Sequence, residues 1–295
     1  MNNYSKVMQE HGKSFFWASW FLDKNTANKL FTVYALCRRL DDLVDTSNKK
    51  SEAKEEIARV ISLTNNNQYK ETFEEFKSID RHLHPRQDII IEFLKGQLSD
   101  LDFRQPNDLG QLLKYCYRVA GVIGLMICDV LDIGDSKLRY FAIDFGIAMQ
   151  LTNICRDIKE DAQIGRIYLP KNETASLAIG NFRSPSNTDL IIINSSRDKL
   201  IKLADEYYQS GMYGINQLPI KIKRSFRVAS NIYQGIGHKI LQKRCSFNDQ
   251  RVYLSKFEKL NITIKTFLKR LKSNDRTLHQ KKLHASLQNL PDTDL

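Results

Sequence analysis

The sequence predicts an all-α protein, on three observations. Six prolines and 13 glycines are few for 295 residues. All six prolines (Pro85, Pro106, Pro170, Pro185, Pro219 and Pro291) fall between apolar segments of helical period or in the tail, where a helical protein tolerates them. With 42% hydrophobic residues the chain can bury a large core, and neither a linker nor an internal repeat divides it. The expected organisation is one all-α domain over residues 1–272, followed by a polar, frayed tail over 273–295.

Taken in order, residues 1–25 hold His11, Lys13 and Ser14 ahead of an apolar stretch. Such a trio can donate to an anion, although a cluster of this kind standing alone is more often a solvated turn. Thr26 is placed to cap a long helix that runs to about Asp45. Residues 51–82 suggest two charged helices parted by the asparagine-rich loop at 64–68. Pro85 then opens a helix to about Phe103, on which Asp88, Glu92, Asp100 and Asp102 fit solvated or paired charge. Asp108 caps the next helix, whose interior holds Gly121 and Gly124. Each interior glycine costs about 1 kcal/mol relative to alanine, so either a neighbouring helix or a long apolar ligand approaches closely there.

A helix from about Asp135 to Asp161 follows, then a loop over 171–189. The run Leu190–Ile193 fits strand or helix by periodicity alone. Helices are expected over Asp198–Gln217, Lys221–Lys243 and Asp249–Lys272.

Charge and cysteine usage narrow the setting. Residues 221–295 carry 17 Lys and Arg against 5 Asp and Glu, so the basicity of the +11 chain belongs to its last quarter. No nucleic-acid reading module accompanies it, so no nucleic-acid partner is expected. Attraction to anionic lipid headgroups and an ordinary solvated basic face account for it equally well. The cysteines form no C-x-x-C pair and sit mostly within apolar helical patterns, as core thiols of a reduced cytosolic protein do. The N-terminus lacks the apolar core of a signal peptide, and the run Gly121–Cys128 stops at Asp129. A cytoplasmic protein is expected, with peripheral attachment at the inner face of the membrane compatible with the charge.

The chemistry concentrates in two stretches. On a helix, Gln150, Asn153, Asp157 and Asp161 share one face, at offsets of three, four and four. Two carboxylates at i,i+4 repel by roughly 0.2–0.5 kcal/mol, so the spacing is unfavourable unless a cation or donor answers it. A matching pattern occurs earlier, with Tyr34, Arg38, Asp41 or Asp42, and Asp45 on a common face. Hard oxygen ligands of this kind suit Mg²⁺, with Mn²⁺ as a substitute, completed by substrate phosphates. Arg38, Arg156, Lys13 and Arg251 are candidate clamps on the same phosphates. Metal-assisted departure of an allylic diphosphate leaves a carbocation, which an apolar cavity must shield from water and aromatic faces can stabilise.

Five collinear segments carry a resemblance: His11–Phe15, Tyr34–Asp45, Tyr115–Gly121, Gln150–Pro170 and Asn231–Tyr233. Together they resemble the squalene/phytoene synthase family, most closely its bacterial phytoene synthases, over roughly residues 8–260. The resemblance implies a single-domain isoprenoid-synthase fold with a central cavity between two Asp-rich helices. It also implies head-to-head (1'-1) condensation of two prenyl diphosphates through a cyclopropylcarbinyl diphosphate, giving phytoene from geranylgeranyl diphosphate without a redox cofactor. Carried over residue by residue, Asp41, Asp45, Asn153, Asp157 and Asp161 would hold metal and diphosphate. Arg38, Arg156, His11, Lys13 and Ser14 would bind phosphate, while Tyr34, Tyr115, Gln150, Tyr168, Tyr233 and Arg251 would line the cavity or the phosphate site. Gly12 departs from the pattern, because the family commonly has serine there. A squalene or hydroxysqualene synthase acting on farnesyl diphosphate would carry the same aspartates. Relatives that serve as non-catalytic assembly factors have eroded ones, whereas both motifs are intact here.

Overall fold

A computed structural model describes residues 3–46, 50–66, 75, 77, 79, 83–175, 177–243, 251–269 and 279–294. Thirteen α-helices are present among them. They are α1 (Asn3–His11), α2 (Lys13–Ser19), α3 (Lys24–Thr46), α4 (Lys50–Asn65), α5 (Gln87–Leu101) and α6 (Leu109–Cys116), which a π-helical turn (Tyr117–Gly121) joins to α7 (Val122–Val130). Then come α8 (Ser136–Arg156), α9 (Ile158–Gln163), α10 (Ile179–Arg183), α11 (Asn187–Gln217), α12 (Ile220–Lys243) and α13 (Lys256–Leu268). No strand occurs among the described residues, as expected.

Several boundaries differ from the expected ones for local reasons. Asp23, not Thr26, starts α3, because its carboxylate accepts the Thr26 amide at 3.0 Å and the Thr26 hydroxyl at 2.8 Å. The ambiguous run at 190–193 lies inside α11, whose start is fixed by a reciprocal Ser186–Asp189 capping box. Asp108 caps α6 as expected, accepting the Gln111 amide at 2.9 Å. The helix expected to reach Asp161 breaks at Asp157 (φ −106°, ψ 14°) and resumes as α9. The expected second helix of 51–82 and residues 244–250 lie outside the described residues, apart from isolated positions in the former.

The main hydrophobic core has α8 at its centre, packed by α7, α11 and α12, and a smaller cluster of Met8, Ala27 and Phe31 joins α1 to α3. Burial of whole faces of helices of this length, more than intrinsic propensity, is what holds them. A Cβ on Gly124 would stand 2.4 Å from the Ala142 carbonyl oxygen, which is backbone and cannot yield. The close approach foreseen at Gly121 and Gly124 is therefore helix on helix, and it lets α7 lie against α8. Gly124 also lines the central cavity. Cys37, Cys116, Cys128 and Cys155 are buried thiols, as expected of core cysteines, and Cys245 lies outside the described residues.

The expectation of a frayed tail is overturned over 279–294. Leu283 and Leu287 are buried in the main core, four residues apart on one turn-rich segment. The Tyr117 hydroxyl donates to the Pro291 carbonyl and the Tyr207 hydroxyl to the Leu283 carbonyl, each at 2.6 Å. Arg139, itself buried, bridges Asp129 and Asp292. His279 and His284 both reach the fully buried Asp144 on α8, at 2.7 and 2.9 Å, and the Ser210 hydroxyl adds a third donor. The segment's polarity misled because the Nε2 atoms of His279 and His284, the Asp292 carboxylate and the Thr293 hydroxyl find partners inside the protein. Among the described residues no helix is long and apolar enough to cross a membrane.

Candidate active site

Both acidic motifs sit at helix C-termini. Asp41 lies near the end of α3, and Asp157 follows the last residue of α8. The partial negative charge of a helix C-terminus adds to the carboxylates there, so this end of the bundle attracts cations. Asp41, Gln150, Asn153, Asp157 and Asp161 line one small polar cavity of about 190 Å³, together with Gln97, Asp100, Arg166 and Tyr168. The break after α8 does not disperse the stripe, because the Asp161 amide still donates to the Asp157 carbonyl at 2.8 Å. Of Asp45, the other acid of the first motif, only the helical backbone is described.

The polar cavity adjoins a larger one of about 700 Å³ through shared walls at Asp41, Gln150 and Asn153. Arg38, Arg156 and Arg251 line the polar end of this larger cavity, with His11, Lys13, Ser14, Tyr34 and Tyr233. Its other end is apolar, built from side chains such as Ile133, Leu138, Phe141, Ile215 and Leu218. The two regions form a charged vestibule over a deep hydrocarbon-lined space, which is the division a molecule with a charged head and an apolar tail requires.

The cations of the vestibule are paired with its acids. Arg156 and Arg251 each grip Asp157 through two hydrogen bonds, at 2.5–2.8 Å. Arg38 pairs with Asp42 at 2.5 Å, which puts Asp42 beside the arginine while Asp41 faces the cavity and accepts from Gln97 at 2.8 Å. The buried Arg38 Nε has no partner, and neither has the buried Asn153 Oδ1, an acceptor in a wall made of carboxylates. Burial first, and the charge of Asp157 next, push the Asp161 carboxyl up to about 8. A hard, oxygen-rich pocket whose second acid cannot ionise easily, and whose amide oxygen is unanswered, fits a divalent cation.

Four tyrosines of the expected set are held neutral, since burial is the chief cause raising the phenols of Tyr34, Tyr115, Tyr168 and Tyr233. Tyr233 packs on Phe15 with centroids 5.3 Å apart, on the wall of the large cavity. Tyr115 and Tyr168 stack at 4.9 Å and both donate to Asp100, at 3.0 and 2.8 Å. Thus Asp100 belongs to the site, against the expectation of a solvated or paired charge. The other acids of α5 and of its C-cap meet that expectation: Asp88 pairs with Arg86, Glu92 with Lys95 and Arg118, and Asp102 with Lys54.

Sequence reasoning also missed Gln97, Arg166 and Lys259. Gln97 and Asp100 stand three residues apart on α5, a spacing that was visible but has no counterpart in either motif. Arg166 stood inside the quoted stretch without a role and now lines the polar cavity. Lys259 lines the large cavity, its ammonium destabilised by burial and then by Lys13. At Gly12, a Cβ would come within 2.5 Å of Met8 Sδ and 3.1 Å of the Tyr34 ring, so those two side chains occupy the space a larger residue would need.

The comparisons with known proteins agree with this geometry. A family model described as squalene/phytoene synthase matches residues 8–258. The chain is 31% identical over 272 residues to a 15-cis-phytoene synthase of Enterobacter agglomerans, covering 87% of this chain and 91% of the relative. It is 29% identical over 279 residues to a 15-cis-phytoene synthase of Pantoea ananas, covering 90% of each. Among solved structures, a dehydrosqualene synthase in complex with ligand superposes with a TM-score of 0.73 at 26% identity, over 90% of this chain and 94% of the other. A squalene synthase from Alicyclobacillus acidocaldarius, at 16% identity and a TM-score of 0.67 over 81% and 92%, shares the fold. That fold is the all-α isoprenoid-synthase architecture.

Proposed function

The chain belongs to the squalene/phytoene synthase family and is a prenyltransferase, and from that premise we propose that it condenses two geranylgeranyl diphosphates head to head (1'-1) to phytoene, the entry step of carotenoid biosynthesis. The family acts on prenyl diphosphates and depends on a divalent metal. One observation carries the reading: Asp41, Gln150, Asn153, Asp157 and Asp161 meet in one polar pocket that opens onto a large, largely apolar cavity. The relatives named phytoene synthase carry the choice of the C20 substrate.

Asp41, Asp157, Asp161 and Asn153 would hold Mg²⁺, with Asp45 as a further ligand. When bound, the cation draws off the negative charge that builds on a departing diphosphate. Arg38 presents its unpartnered Nε to the same phosphates, and Arg156 and Arg251 exchange Asp157 for them as the pocket fills. His11, Lys13 and Ser14 at the rim add donors. Loss of the donor's diphosphate leaves an allylic cation, which the acceptor's C2=C3 double bond attacks. The resulting cation at the acceptor's C3 closes onto C1' with loss of a C1' proton to give the cyclopropylcarbinyl diphosphate, and departure of that second diphosphate, rearrangement and a further proton loss give phytoene. The apolar walls keep water from that cation, and the neutral rings of Tyr34, Phe15 and Tyr233 face the space where it forms. Tyr115 and Tyr168, tied to Asp100, brace the polar pocket from the α5 side.

The test is product mass. Purified protein with Mg²⁺ should give a C40 triene from geranylgeranyl diphosphate. A C30 product from farnesyl diphosphate with none from geranylgeranyl diphosphate would install the second reading, a squalene-type synthase, which the likeness to the dehydrosqualene synthase structure favours.

A further inference from the structure

Helix α13 turns most of its apolar side chains outward. Its buried residues are Thr263 and Thr266, whose hydroxyls accept from Trp17 at 3.1 Å and Asn231 at 2.8 Å, while the partly buried Ile262 packs against the core. Its exposed side carries Phe257, Leu260, Ile264, Phe267 and Leu268, at helical offsets of three, four, three and one, which form a single stripe roughly 100° wide. Phe257 and Leu268 are each 78% exposed. A soluble helix normally shows the opposite arrangement, and an exposed apolar stripe of this extent marks a contact surface.

The surroundings extend the stripe and give it a sign. Phe21 packs on Phe267 at 4.9 Å, and Trp20, its neighbour in the chain, is 63% exposed and stacks on Trp17, whose indole N–H reaches Thr263 of α13. Arg224 at the start of α12 lies 5.8 Å from the Phe267 ring centroid. Lys256 and Lys265 on α13, Lys269 just after it, and Lys221 near Arg224 are exposed around it, while the single acid of α13, Glu258, is paired with Lys239. An apolar stripe bordered by cations, with an exposed tryptophan nearby, has the chemistry of an interfacial helix on an anionic bilayer. At 13 residues, α13 is about 20 Å long and can lie on a bilayer but not cross it. A second copy of the chain fits less well, because a symmetric pairing of this face would set lysines against lysines.

The cavity gives the surface a purpose. Ser19, Leu22 and Leu218 line the large cavity, and they flank Trp20 and the start of α12 in the chain. Lys259 of α13 lines it as well, beside Lys13, so the elements that carry the exposed patch also form part of the cavity wall.

We propose that the outward face of α13, with Trp20, is a docking surface for an anionic lipid bilayer, through which apolar substrate tails and product pass between membrane and cavity. Passage rests on the prenyl diphosphate reading above, but docking does not. Charge alone had pointed to the basic last quarter as a whole; the structure narrows the contact to this one face.

Flotation with phosphatidylcholine vesicles, with and without phosphatidylglycerol, tests it on the full chain. Wild type should float with the anionic vesicles at low salt and show a blue shift of Trp20 fluorescence, read in a Trp17→Phe background. The pair Phe257→Glu and Leu268→Glu should weaken partition by more than roughly tenfold, with circular dichroism and melting temperature unchanged. Turnover of detergent-dispersed substrate should also be unchanged, which separates failure of docking from failure of the prenyltransfer assignment. Absence of wild-type binding at low salt overturns the proposal. So does binding that the double substitution leaves intact, or a dimer in sedimentation velocity that the same substitution dissolves.

Discussion

Two aspartates, the fully buried Asp144 and the half-buried Asp161, are 17 residues apart in one nearly continuous helical stretch, and their protonation is pushed in opposite directions. Asp144 is fully buried, which alone would raise its carboxyl; hydrogen bonds from His279 and His284, then their charge, hold it below the ordinary value. Burial and the charge of Asp157 raise Asp161 to about 8, and no hydrogen bond among the described residues answers its carboxylate. The first acid is completed by the protein and the second by whatever enters the pocket. Burial therefore does not distinguish a structural acid from a functional one; the supply of donors does.

That contrast can be broken by substituting each acid with its amide. The largest effect is expected on turnover. Asp161→Asn should lower kcat by about 10²–10³-fold, in the range for removal of one preorganised electrostatic group, while leaving the fold intact. Steady-state kinetics together with a thermal melt checks both halves. Asp144→Asn should do the converse, destabilising by about 3 kcal/mol because it strips a buried charge from its partners, with kcat nearly unchanged below the melting transition. A large loss of kcat in well-folded Asp144→Asn protein would erase the distinction.

The next effect is one of pH and sharpens the same contrast. Asp161 holds its proton more tightly folded than unfolded, so it stabilises the metal-free fold below the ordinary carboxylate pKa of about 4 and gives up that contribution as pH climbs through about 8. Melts in chelator should show Asp161→Asn gaining on wild type at pH 9 but not at pH 5. Asp144 runs the other way: its lowered pKa contributes stability above the ordinary carboxylate range, lost as pH falls through the folded value. Mg²⁺ added at pH 7 should release a proton from wild type and none from Asp161→Asn, measured by calorimetry in buffers of different ionisation enthalpy.

How far the sequence foretold this depends on the range of each contact. The stripe Gln150, Asn153, Asp157, Asp161 was legible because helical spacing is local, and it survives the break after α8 because one hydrogen bond carries the register across. Its pairing with Asp41 was inferred from a repeated pattern and then from a family resemblance. Asp100 reads as ordinary charge and Gln97 carries no signal because their partners, Tyr168 and Asp41, stand 68 and 56 residues away, where no periodicity reaches. The tail was misjudged for the same reason: His279 and His284 look like ordinary polar residues until the fold brings Asp144, 135 and 140 residues distant, against them.

The smallest expected effect concerns the wall between these two kinds of region. Gly12 stands where the family commonly has serine, next to Lys13 and Ser14 of the phosphate rim. A serine Cβ would press on Met8 Sδ at 2.5 Å and on the Tyr34 ring at 3.1 Å. Methionine is flexible and can retreat, whereas the tyrosine is fixed on α3 beside Arg38. Gly12→Ser should therefore cost only about 1 kcal/mol, the low end of overpacking, and lower the melting temperature by roughly 2–4 °C. If Met8 is what fills the space, Met8→Ala should relieve most of that cost, and a double-mutant cycle should show coupling of at least roughly 0.5 kcal/mol. Additivity would mean that the strain falls on the Tyr34 ring or on the Met8 carbonyl, each 3.1 Å away, and strain on Tyr34 should raise KM as well, because Tyr34 lines the large cavity.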